Sequence, residues 1–78
     1  INTAYYRGES MNFSEGIKYI RKVTYLSQES FAKEIGVSFS TVNRWERGKS
    51  KPNYAAMKKL NSFCCKNSIK IDFDEDDS

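Results

Sequence analysis

Apolar residues follow two rhythms along this chain. From Phe13 to Cys64 they recur every three or four residues, and from Ile69 to Phe73 every second residue. The first spacing marks one face of a helix and the second marks a strand. Phe13, Ile17, Ile20 and Thr24 form one stripe, which predicts a helix from about Phe13 to Thr24. Asn12 suits its N-cap, with Glu15 three residues on as a capping-box partner. A second helix is predicted from about Gln28 to Ile35, after Ser27 as cap. Its inner face is Phe31, Ala32 and Ile35, and Gly36 stops it in the left-handed conformation.

A third helix is predicted to follow Ser38 and to end near Arg47, with Gly48 as its stop. Val37 and Val42 take the two positions of a hydrophobic staple across its start. Only Gly36, Val37 and Ser38 then separate the second and third helices, which is the connection of a helix-turn-helix. Pro52 and Asn53 open a fourth helix running to about Lys66, with Ala56, Met57, Leu60, Phe63 and Cys64 on its apolar face. The alternating Ile69, Ile71 and Phe73 read as a short strand. Its backbone needs a partner. That partner is the N-terminal segment, a second copy, or a further part of a longer chain; otherwise the segment is an extended tail. The expected fold is all-α: a small bundle of four helices, or five if another follows, containing a helix-turn-helix and ending in a short strand. Residues 1–11 read as an N-terminal extension, 12–66 as the domain, and 67–78 as an extended segment with an acidic tail.

The third helix divides sharply on a wheel of about 100° per residue. With Phe39 at 0°, Val42 and Trp45 fall at about 300° and 240° and face inward. Asn43, Arg47, Ser40 and Arg44 fall between about 40° and 140° and face outward. Their hydroxyl, amide and guanidinium groups are donors of the kind that reach base edges and phosphates. Phe39 lies on the rim between the two faces, where it either closes the core or contacts a thymine methyl.

The stretch LSQESFAKEIGVSFSTVNRWERGKSKP resembles the helix-turn-helix of the Cro and phage-repressor superfamily, often called the XRE family. Gln28 opens the second helix, Ala32 is the small crossing residue, Gly36 is the turn glycine, and Phe31, Ile35, Val37, Val42 and Trp45 take the apolar slots. The run Trp45–Glu46–Arg47–Gly48–Lys49–Ser50–Lys51–Pro52 is typical as well, and the likeness extends over residues 12–66. The family usually adds a fifth helix, where this chain offers SIKIDF and an acidic run. The resemblance implies that Phe39, Ser40, Asn43 and Arg44 meet bases, with Ser38 alongside them in the major groove. It implies that Gln28, Ser38, Thr41, Arg47, Lys49, Ser50 and Lys51 hold the DNA backbone. It also implies a structural ion pair between Arg21 and Glu46.

Charge agrees with a polyanionic partner. Residues 1–71 carry 13 basic and five acidic side chains, net +8, and the remaining five acids fall in residues 72–78. A basic body suits nucleic acid. Cys64 and Cys65 are adjacent and have no other cysteine to pair with, as in a reducing compartment. Without histidine or a CxxC pair a zinc site lacks ligands, and no nucleophile–base pair or phosphate loop is present, so neither metal, cofactor nor enzymatic activity is expected. There is no signal-peptide pattern and no run approaching a membrane span, which makes the cytoplasm the expected location. The chain opens on Ile1, and Met11 is a candidate natural start.

The expected function is a sequence-specific, double-stranded DNA-binding transcription regulator of bacterial or phage type. A repressor acting as a homodimer on a palindromic operator is the leading form. A rival is a protein-interaction module, such as an antitoxin or phage inhibitor whose helix-turn-helix regulates its own gene. A third is the DNA-targeting domain of a longer restriction or modification protein.

Overall fold

The computed structural model of the chain describes residues 4–5, in their backbone, and 12–71. The acidic run 72–78, Phe73 within it, and the rest of the N-terminal extension lie outside the described residues. Among the described residues four helices follow in order: α1 (Phe13–Val23), α2 (Gln28–Ile35), α3 (Phe39–Glu46) and α4 (Tyr54–Lys66). Each begins on a polar cap. The side chains of Asn12, Ser27, Ser38 and Asn53 accept from the backbone N–H groups of Glu15, Ser30, Thr41 and Ala56, filling donors that a helix start leaves open.

The stops are equally local. After α1 the N–H of Leu26 returns to the carbonyl of Arg21, after α2 that of Val37 to Ala32, and after α3 that of Lys49 to Arg44. This is the same five-residue reach each time, as in a Schellman closure, and it requires a left-handed residue just before the donor. Gly36 at φ 83° and Gly48 at φ 73° supply it after α2 and α3, whereas Tyr25 at φ 60° supplies it after α1. α4 ends differently: the Asn67 side-chain amide donates to the carbonyl of Phe63.

α3 packs on α1 and α2, and α4 packs on α2 and on the segment that follows α4. Ile17, Ile20, Phe31, Val42, Trp45, Leu60 and Phe63 meet in one core. Edge-on aromatic pairs cross it, among them Phe13 with Trp45 and Phe31 with Phe63, at centroid distances of 6.1 and 5.5 Å. Such pairs add about 0.5–1.5 kcal/mol each beyond the area they bury. Ala32, 3% exposed, leaves room where the helices approach.

No fifth helix follows α4 among the described residues. The chain turns through Asn67 and Ser68 into β2 (Ile69–Lys70), which pairs in parallel with β1 (Ala4–Tyr5), Ala4 opposite Ile69 and Tyr5 opposite Lys70. Of the partners open to the strand, the N-terminal segment is the one it takes. Ile69 anchors β2 in the core. Cys64 is buried and Cys65 exposed, and burial, with the neighbouring Cys65 adding to it, pushes the Cys64 thiol up to about 11.

Gly36 offers a direct test of the turn. An added Cβ would meet only the flexible Lys59 Nζ at 3.5 Å, so the cost of Gly36→Ala is conformational rather than steric. Urea unfolding should show a loss of about 1–2 kcal/mol. A variant as stable as the parent would remove the left-handed glycine from the account of the turn.

Candidate nucleic-acid interface

The inner face of α3 is fixed by Val42 and Trp45, 0% and 2% exposed. That rotation leaves Ser40, Arg44 and Arg47 exposed on the outer side. Phe39 is half-exposed and stands outside the packed core, so it projects from the rim at the start of α3. Around that start three hydroxyls gather. Ser38 Oγ accepts from the N–H of Thr41 at 3.1 Å and lies 2.9 Å from Thr41 Oγ1 and 3.5 Å from Ser40 Oγ.

The end of α3 carries a buried acid. Glu46 is 7% exposed, and the Arg21 guanidinium closes on it as a fork, Nε to Oε2 at 2.6 Å and Nη2 to Oε1 at 3.0 Å. A charge taken from water needs such pairing and further hydrogen bonds. Gln28 gives one: its Nε2 donates to Glu46 Oε1 at 3.0 Å. Its Oε1 accepts from Asn43 Nδ2 at 3.3 Å. Arg21 Nη1 also donates to the carbonyl of Leu26 at 3.2 Å. One chain of bonds therefore runs from the α1–α2 connection, through Arg21, Glu46 and Gln28, to the outer flank of α3 at Asn43.

This chain of bonds sharpens two expectations. Gln28, expected on a phosphate, already uses both ends of its amide inside the domain. Asn43, expected to face bases, is half-buried with its amide nitrogen held by Gln28. The wheel carried a signal for Glu46: at about 340° it falls beside Val42, and an acid on the inward edge needs a partner. Nothing in the sequence marks the Gln28–Asn43 bond, because it depends on how two helices cross.

Beyond α3, Lys49 and Lys51 are exposed and Ser50 is half-buried, in the loop that leads to α4. Thr41, Arg44, Ser50, Lys51 and Lys59 border a shallow cleft between α3 and the start of α4, about 440 Å³ in volume. Of the expected outward residues, Thr41, Arg44, Ser50 and Lys51 thus meet at one cleft, while Asn43 and Gln28 are tied to each other in the bond network. No group of acids, cysteines or histidines among the described residues is placed to hold a metal ion, and no helix among them is long and apolar enough to cross a membrane.

The sequence profile of the helix-turn-helix family matches residues 17–64, well over half of the chain. The chain belongs to that family, in its Cro and phage-repressor branch. It is 34% identical over 62 residues to the HTH-type transcriptional activator BcrR of Enterococcus faecalis, an alignment covering 80% of this chain and 29% of that relative. The chain therefore spans less than a third of the length of the curated relative it matches. No solved structure matches it significantly.

Burial pushes the Glu46 carboxyl up, but hydrogen bonds from Arg21 and Gln28 and the charges of Arg21 and Lys18 outweigh it and hold Glu46 below its ordinary value. The hydrogen bond to Glu46 in turn raises Arg21, against its own partial burial. A depressed acid stabilises the fold above its unfolded value, about 4.3, and that contribution is lost as pH falls through the folded value. Arg21→Ala should cost about 2–4 kcal/mol at neutral pH, somewhat less than the loss of one partner from a fully buried pair, because Arg21 keeps some solvent. Glu46→Gln should flatten the fall of stability between pH 5 and pH 3, as read by urea unfolding. An acid limb identical to that of the parent would place the pH dependence elsewhere.

Proposed function

We propose that this chain is the sequence-specific DNA-binding domain of a transcription regulator, and that α3 lies in the major groove of double-stranded DNA. The observation that carries this is the division of α3, with one face sealed in the core and the other presenting Ser40, Arg44 and Arg47 to solvent. A helix held that firmly on one side can offer its donors at fixed positions, which is what direct base readout needs. Membership of the helix-turn-helix family supports the same reading.

In this assignment Arg44 takes a guanine edge with its guanidinium fork, while Ser40 and Asn43 donate to neighbouring bases. Phe39 meets a thymine methyl from the rim. Gln28, Ser38, Thr41, Arg47, Lys49, Ser50 and Lys51 hold phosphates on either side, giving affinity and register. Gln28 still has one amide N–H for this, so its contact is an extension of the bond network rather than a separate site.

The proposal continues to a non-enzymatic cytoplasmic regulator that binds a palindromic operator as a homodimer, two α3 helices one helical turn apart. Repression follows wherever the operator overlaps a promoter. BcrR is by name an activator, so the sign of regulation is taken to lie in operator position and in chain beyond this domain.

Selection from a random duplex pool should enrich a two-fold symmetric site. Against that site, Arg44→Ala should lose about 1–3 kcal/mol of discrimination at one base pair. Phe39→Ala should relax preference at a thymine with little loss of stability, since the ring is 52% exposed. Lys49→Ala should weaken all sequences alike and lower the salt slope by about one. Binding that is independent of salt and survives these changes would sink the assignment, and the absence of any enriched sequence would favour a protein partner instead.

A further inference from the structure

Of the three Schellman-type closures, only the first lacks glycine. Tyr25 stands at φ 60°, its N–H donating to the Lys22 carbonyl and that of Leu26 to the Arg21 carbonyl, both at 3.1 Å. A bulky side chain is strained there, because its Cβ crowds the backbone, and glycine would adopt the same conformation freely. The strain is not offset by packing: the Tyr25 ring is 93% exposed, the most exposed large apolar side chain among the described residues. An exposed aromatic held in a strained conformation is a feature that the fold does not need.

Its place in the chain is the entry to α2. Tyr25 lies two residues before Ser27, the cap of α2, and three before Gln28. The carbonyl of Leu26, the next residue, is held by Arg21, whose guanidinium also holds Glu46 at the end of α3. The bond network that fixes the rotation of α3 therefore fixes the position of Tyr25 as well. A phenol offers a neutral hydroxyl donor and a flat ring, chemistry suited to a phosphodiester oxygen and the adjoining sugar.

We propose that Tyr25 is a DNA-backbone contact, its hydroxyl donating to a phosphate beside the N-terminus of α2, just outside the groove that α3 enters. The proposal rests on the DNA-binding reading above. It explains a tyrosine where glycine would make the more stable domain.

The test uses the full chain with Tyr25→Gly and Tyr25→Phe, measured for thermal stability and for binding to a random-sequence duplex at low salt. Tyr25→Gly should raise Tm by about 2–5 °C and weaken duplex binding by about two- to tenfold, the range for one hydrogen bond. Tyr25→Phe should leave Tm unchanged and weaken binding within the same range. Because tyrosine is uncharged, neither change should alter the salt slope, in contrast to Lys49→Ala. Variants that bind as tightly as the parent, or a Tyr25→Gly domain less stable than the parent, would overturn the proposal and leave the DNA-binding reading standing. A parent chain that does not bind the duplex at all would overturn both.

Discussion

The arrangement of this domain turns on one buried carboxylate. Glu46 sits at the end of α3, on the side pressed against the other helices, where a bare charge would cost several kcal/mol in lost hydration. Arg21 from α1 and Gln28 from α2 are the groups that make it tolerable. A pair of apolar side chains could fill the same space with equal stability. What an apolar pair would not provide is direction. The carboxylate is satisfied in one orientation only, with the guanidinium fork on one side and the Gln28 amide on the other. Turning α3 by one residue would move Glu46 by about 100° and break both bonds. In an eight-residue helix, whose apolar grip is little more than Val42 and Trp45, that polar constraint fixes which residues face out.

Short helices also need firm ends. α2 and α3 are eight residues each, little more than two turns, so that half of their backbone N–H and C=O groups belong to one terminus or the other. Side-chain caps at the starts and left-handed closures at the ends satisfy those groups from within a few residues. The tight turn from α2 to α3 follows: Gly36 ends one helix and Ser38 caps the next, with Val37 between them packed on the core. The crossing of the two helices is therefore set by local chemistry and then locked by Glu46.

Much of this was legible in the sequence. The stripe Phe13–Ile17–Ile20, the caps Asn12, Ser27 and Ser38, and the glycine stops each depend on interactions within about five residues, and such patterns can be read along a chain. The inward places of Val42 and Trp45 and the outward places of Arg44 and Ser40 follow from helical period alone. Three features were not legible, for one shared reason. The partner of the terminal strand, the bond from Gln28 to Asn43 and the exposure of Phe39 depend on how distant segments are set against each other. Tyr25 is a fourth case with a different cause. Sequence patterns look for glycine at a left-handed closure, and a tyrosine there passes for one more aromatic.

The outer face of α3 contains two kinds of residue. Asn43 is part of the bond network, so that replacing it disturbs Gln28 and, through it, the surroundings of Glu46. Arg44 and Phe39 contribute little to the core and project from the helix. In the proposed complex these two are the positions at which a change of side chain alters the preferred base without loosening the fold. Asn43 is a position where base preference and stability change together. A helix-turn-helix that is to be redirected to another operator therefore has its freedom at Arg44 and Phe39. The buried carboxylate is what makes that freedom usable, because it keeps the helix in place while its outer side chains vary.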